Sequence, residues 1–145
     1  MARKAKGRRG LGRAELSFNH AMVYVRNLDR ALRFYRDRLG FQVIEVFRSK
    51  GWPGYARLRS PGGRTTLALH GFDKGMDTRP SHSIRLYFEV RNLDQFCRRL
   101  AAAGVRFKLK PKLMPWGWRH AYLNDPDGHE VSLYWAGEKR LRASL

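Results

Sequence analysis

The pentapeptide Val25-Arg26-Asn27-Leu28-Asp29 recurs unchanged as Val90-Arg91-Asn92-Leu93-Asp94, sixty-five positions later. Each copy follows a β-rich run (residues 18–25 and 84–90) and opens an amphipathic helix. Behind Leu28 the apolar residues fall at Ala31, Leu32, Tyr35 and Leu39; behind Leu93 they fall at Phe96, Cys97, Leu100 and Ala103. Both series have helical spacing, and the first three offsets agree. Asn27 and Asn92 stand where an N-cap belongs, Asp29 and Asp94 lie in the first turn where a carboxylate complements the helix dipole, and Gly40 and Gly104 follow as stops. A strand, cap, helix and stop repeated in this order predict an internal duplication.

A chain of 145 residues accommodates one compact domain made of two related halves. No apolar run approaches the roughly 20 residues of a membrane span, and the basic N-terminus has no apolar stretch behind it to make a secretory signal. The one cysteine, Cys97, falls on the apolar stripe of the second helix. It is expected to be a core residue in a reducing, cytoplasmic setting. Thirty Lys and Arg against twelve Asp and Glu give a net charge of +18. Part of it is an arm, residues 1–16, in which Arg3, Lys4, Lys6, Arg8, Arg9 and Arg13 face only Glu15; its composition predicts disorder. The remainder is a solvated surface, or it steers an acidic ligand or partner, or it associates loosely with nucleic acid. The charge argues against a trap for a strongly cationic ligand.

Alternation and turn signals predict strands over 18–25, 42–47, 55–59 and 65–70 around a helix ending at Leu39. A linker over 72–81 follows, then strands over 82–90, 105–109, 119–123 and 130–135 around a helix over 93–103. Residues 111–118 read as a loop and 137–145 as a short basic tail. The fold class is α+β: two tandem βαβββ modules (17–71 and 82–136) within one domain over 17–136, forming a curved mixed sheet with an open cleft. Each helix has one apolar stripe and each strand one apolar face, so the helices cover one side of the sheet. The uncovered side is the expected ligand site.

Three stretches carry a resemblance: His20-Ala21-Met22-Val23-Tyr24-Val25 running into the helix with Ala31, Phe34 and Tyr35, then Leu39-Gly40-Phe41, and Asn124-Asp125-Pro126-Asp127-Gly128-His129. They resemble the vicinal oxygen chelate superfamily, which holds glyoxalase I, extradiol dioxygenases, fosfomycin-resistance thiol transferases and bleomycin-binding resistance proteins. The resemblance covers about residues 17 to 136 and implies a glyoxalase/bleomycin-resistance/dioxygenase-like fold, with a homodimer expected. It also implies four metal-ligand places on the concave side, in the first and last strand of each module. Here those places hold His20, Ala68, Arg85 and Ser132, and only the first is a good ligand. Zinc, iron or manganese sites need about three nitrogen, sulfur or carboxylate donors, so no metal or other cofactor is expected. A displaced site from His20, His70 and Glu130 is the alternative.

By alternation the concave side carries His20, Met22, Tyr24 and His70 from the first module. From the second it carries Arg85, Tyr87, Glu89, Glu130, Ser132 and Tyr134, with Trp52, Trp116 and Trp118 on capping loops. Arg85 reads either as a fork for a carboxylate, phosphate or enolate, or as an internal partner of Glu89 or Glu130; the tryptophans read as ring platforms or as loop packing. His82, His120 and His129 are expected to be solvated. Three functions follow. The first is binding and sequestration of a small aromatic, anionic compound, as resistance members do. The second is an enzyme of lyase, isomerase or dioxygenase-like type, with His20, Tyr87 or Glu130 as acid–base groups. The third is association with nucleic acid or an acidic partner through residues 3–13, where the arm offers phosphate attraction without base readout. Membrane association is not expected.

Overall fold

The computed structural model describes residues 18–137; the basic arm and the tail from 138 onward lie outside the described residues. The element order is β1 (His20–Val25), a helix α1 (Leu28–Leu32) that continues as a π-helical stretch (Arg33–Arg38), β2 (Gln42–Phe47), β3 (Tyr55–Arg59) and β4 (Thr66–Gly71). The second half gives β5 (Arg85–Glu89), α2 (Leu93–Ala102), β6 (Phe107–Leu113), β7 (Arg119–Asn124) and β8 (Glu130–Trp135). Each half forms one four-stranded mixed sheet, ordered β1-β4-β3-β2 and β5-β8-β7-β6, with the first and last strands parallel. The registers are duplicates: Met22 stands opposite Ala68 and Tyr24 opposite His70, as Tyr87 stands opposite Ser132 and Glu89 opposite Tyr134.

The two helices differ by one residue, and the difference has a visible cost in geometry. From Leu28 to the stop at Gly40 is one residue more than from Leu93 to Gly104. The extra residue is absorbed as a π turn, with the Leu39 amide donating to the Phe34 carbonyl. The widened turn lets consecutive Phe34 and Tyr35 both reach the core, which an α turn at about 100° per residue would not favour. Gly40 and Gly104 both end their helices with positive φ, 83° and 91°, as a left-handed stop requires. The caps are less alike. The Asn27 side chain accepts from the Arg30 amide at 2.8 Å, whereas the Asn92 amide instead donates to the Gln95 side chain and makes no cap bond.

The sixth strand corrects the sequence reading, since it runs through Pro111 to Leu113. It is an edge strand, and its pairing with β7 is irregular between Leu109 and Lys112; an edge or bulge position tolerates a residue that donates no hydrogen bond. The fifth strand begins later than expected, at Arg85.

The apolar faces of both modules join one core, in which Val25, Ala31, Tyr35, Leu58, Leu69, Leu123 and Val131 are fully buried. Phe41 meets Phe88 edge-on at 5.4 Å across the module boundary. The boundary also carries a polar lock, because the Asp125-Pro126-Asp127-Gly128 turn of the second module sits on the helix start of the first. Asp127 Oδ1 accepts from the Arg26 amide and the Arg30 guanidinium at 2.8 and 3.1 Å, and the Tyr35 hydroxyl donates to Asp125 at 2.7 Å. His129, expected to be solvated, is tied to Asp125 at 2.7 Å. Among the described residues no helix is long and apolar enough to cross a membrane.

Where β4 ends, Gly71 donates to the Gly54 carbonyl and lies hard against the Pro53 backbone, where a Cβ would collide. Gly71→Ala is expected to destabilise the fold by about 3 kcal/mol in urea denaturation; a loss below about 0.5 kcal/mol, typical of a surface change, would contradict this packing.

Candidate functional site

Strand alternation gives each sheet a face opposite the shared core, and most of the predicted site residues divide between these two faces, although Met22, Tyr24 and Glu130 border one recess of about 260 Å³. On the first sheet Tyr24 and His70 have ring centroids 5.4 Å apart, and Tyr55 lies 6.3 Å from His70. His20 is bonded through Nδ1 to Asn19 at 2.6 Å. Met22 is 39% exposed. Trp52, 66% exposed, lines an open recess with Pro53, Phe72 and Lys74.

The second sheet carries the denser chemistry. The Arg85 guanidinium lies over the Tyr122 ring, 4.6 Å from its centroid, and its Nη2 is 3.4 Å from Glu130. A hydrogen bond with Tyr87, then the charge of Glu130, raise the Arg85 pKa above its ordinary value, so the cation is permanent. Glu130 has a second cation within reach, Lys108 Nζ at 3.5 Å. Beside Arg85 stands a ring cluster: Trp118 and Tyr134 stack at 5.5 Å and 19°, and Tyr87 meets Tyr134 edge-on at 5.9 Å. Trp116 is half exposed.

The centre of that cluster is a residue the sequence reading placed in solvent. His120 is only 3% exposed. Its ring is nearly parallel to Trp118 (11°) and Tyr134 (19°), and Trp116, Tyr87 and Tyr122 surround it at 5.4 to 6.2 Å. Nδ1 shares a 3.0 Å hydrogen bond with Ser132 Oγ, while Nε2 is buried with no partner among the described residues. Burial, then the Arg85 charge, lower its pKa, so the ring is neutral near neutral pH. The signal was present in the sequence. Alternation along 119–123 sets Ala121 and Leu123 in the core and therefore His120 and Tyr122 on the concave face. The repeat supports it: Tyr55 stands opposite His70 in one sheet and His120 opposite Tyr134 in the other.

The displaced metal set is not assembled. His20 and His70 belong to the first sheet, whereas Glu130 faces Arg85 and Lys108 on the second. The acid–base candidates divide likewise, with Tyr87 and Glu130 flanking Arg85 and His20 elsewhere. Among the described residues no three His, Cys, Asp or Glu side chains could hold a metal ion. Of the four places that the resemblance implies, Ala68 offers no donor atom, Arg85 is a fixed cation, and the Ser132 hydroxyl is engaged by His120. Metal analysis of the purified chain is expected to find less than one equivalent of zinc, iron, manganese or nickel; a tightly held stoichiometric ion would contradict the geometry.

Paired βαβββ modules with an open, ring-lined face beside a lone arginine define a class of small-molecule folds rather than one chemistry. A model of the Glyoxalase/Bleomycin resistance protein/Dioxygenase superfamily matches residues 17–133, and the chain belongs to that superfamily. Lactoylglutathione lyase of Schizosaccharomyces pombe is 26% identical over 152 aligned positions, which take in 88% of this chain and 50% of that enzyme. The chain thus spans half the length of this curated relative. Among solved structures, a superfamily member from Sphaerobacter thermophilus is 26% identical with a TM-score of 0.68, over 82% of this chain and 97% of that one. TnmS3, an antibiotic binding protein from Streptomyces sp. CB03234, is 28% identical with a TM-score of 0.67, over 83% and 97%.

Proposed function

We propose that the concave face of the second sheet binds a small, flat, aromatic compound bearing an anionic group, and that the protein acts by holding it. The observation that carries this reading is Arg85, spread over Tyr122 beside the wall of Trp118 and Tyr134. A planar guanidinium takes a carboxylate through two parallel hydrogen bonds, and the ring wall takes the aromatic body by stacking. Glu130 does not block the exchange. When an incoming anion draws Arg85 away, Glu130 keeps Lys108 and is not left as an unpaired, half-buried charge. The likeness to an antibiotic binding protein supports a sequestering role. Cys97 takes no part: burial pushes its thiol up to about 11, which leaves it unreactive.

A second copy of the chain completes the site in this reading. Met22 and Phe47 on the first sheet, and Ile84, Tyr87 and Trp116 on the second module, each leave between 39% and 65% of their surface exposed, apolar surface that a partner copy would cover. Light scattering is expected to give twice the chain mass.

The probe for the site is 2-naphthoate, a flat ring system with one carboxylate. Calorimetric titration is expected to show saturable one-site binding, with a dissociation constant on the order of micromolar for a charged fork plus ring burial. Absence of saturable binding would contradict the assignment.

A further inference from the structure

A buried imidazole with one nitrogen fixed and the other unpartnered is a poor packing solution, because an unsatisfied buried polar atom loses its water without compensation. His120 is in that condition. Its surroundings show which wall can give way. Trp118 and Tyr134 lie nearly parallel to the ring and stack on each other, with the three centroids 5.5 to 6.2 Å apart, and Tyr87 and Tyr122 close the flanks. Trp116 instead projects from the tight turn in which Gly117 donates to Met114 and Met114 to Trp118, and it is half exposed. A flat ligand can take its place without disturbing a strand.

We propose that His120 Nε2 is the selecting point of the site and receives a ring hydroxyl, so that the ligand is a hydroxylated aromatic acid. This rests on the binding face proposed above. The hydroxyl follows from the Ser132 bond, whichever group carries the proton. If Nδ1 donates to Ser132 Oγ, then Nε2 is a bare acceptor; if the serine donates, then Nε2 carries the hydrogen. A hydroxyl both donates and accepts and satisfies either state, which a carbonyl, an ether or an amine hydrogen alone does not. The neutral ring favoured by burial and by Arg85 supports the same partner. The two recognition points lie within one ligand's reach, since Arg85 and His120 both border the Tyr122 ring. A bicyclic acid can place its carboxylate at one and its hydroxyl at the other. Ser132, fully buried and hydrogen-bonded to Nδ1, becomes a positioning residue that fixes the imidazole.

The test compares 2-naphthoate with 6-hydroxy-2-naphthoate by calorimetry on the full-length protein and on His120→Phe and His120→Gln. The wild type is expected to prefer the hydroxylated acid by about tenfold or more, the yield of one well-made buried hydrogen bond. The ratio of the two affinities should fall to within about twofold in His120→Phe. It should recover in part in His120→Gln, whose amide again offers a donor and an acceptor. Equal affinity in the wild type, or a preference that survives both substitutions, overturns this inference while leaving the binding face in place. If neither acid binds, the binding face itself is wrong and the selection falls with it. Should His120→Phe not fold, the wild-type ratio and the glutamine variant decide the matter.

Discussion

Asp125→Ala is expected to destabilise the protein by about 3 to 5 kcal/mol, the range for leaving buried partners of a charged group unpaired. The Asp125 side chain is fully buried and closes several accounts at once. It accepts from the Tyr35 hydroxyl at 2.7 Å, from the amides of Asp127 and His129 at 2.9 Å each, and from the His129 ring at 2.7 Å. Alanine strands the buried Tyr35 hydroxyl in the core and loosens the turn whose Asp127 holds the Arg26 amide and the Arg30 guanidinium at the start of the first helix. Burial alone would raise the Asp125 carboxyl, but the hydrogen bonds from His129 and Tyr35 override it and hold the pKa below its ordinary value. A carboxylate depressed in the folded state contributes its stability above its unfolded pKa, about 3.9, and loses it as pH falls through the folded value. The stability curves of wild type and variant should therefore lie apart at neutral pH and converge in acid below about pH 4. Urea denaturation across pH reads both features. A loss under about 1 kcal/mol at pH 7 would mean that the turn is not the lock between modules.

Arg85→Ala is expected to weaken 2-naphthoate binding by about thirty- to a hundredfold, which corresponds to the roughly 2 to 3 kcal/mol of a hydrogen bond to a charged group in a partly dry site. Arg85→Lys should recover only part, since an ammonium keeps the charge but not the fork. The neutral analogue naphthalene-2-carboxamide separates charge pairing from ring burial, and its affinity should change by no more than about threefold in Arg85→Ala. The fold should persist, because Glu130 retains Lys108 and Arg85 is an exposed side chain on an outer strand. Unchanged naphthoate affinity in Arg85→Ala would leave Arg85 as an internal partner of Glu130 and nothing more.

Much of the fold was legible because the chain states it twice. The repeated pentapeptide located both strand-to-helix junctions, and the glycine stops located both helix ends. Comparing those stops also exposes the extra residue in the first helix, whose consequence, the π turn at Phe34 and Tyr35, follows from having to bury two adjacent rings. What the repeat did not convey is where the copies have diverged. Asn92 keeps its letter but turns its amide to Gln95 instead of capping. Pro111 reads as a break, yet an irregular edge strand absorbs it. At the site, alternation placed Arg85, Tyr87, Ser132 and Tyr134 on one face of the second sheet; in the structure Arg85 and Tyr87 are exposed, whereas Ser132 is fully buried. His120, expected in solvent, instead lies on β7, between the outer strands, facing the ring cluster. Its burial comes from five rings that converge from three strands and a loop, and no local pattern encodes such a convergence. The lock at Asp125 is likewise invisible from its own turn, since Tyr35 lies ninety positions away.

The most direct measurement is the location of bound 2-naphthoate by NMR on the isotopically labelled, full-length protein. Ligand contacts are expected at Arg85, Tyr122 and Tyr134 and at the Trp118 indole. The structure also holds a cavity of about 580 Å³ at the module boundary, whose lining includes Phe41, Pro61, Leu86 and Phe88 and borders the proposed site only through Tyr87. Contacts confined to those four residues, with the Arg85 and Trp118 signals unmoved, would contradict the account.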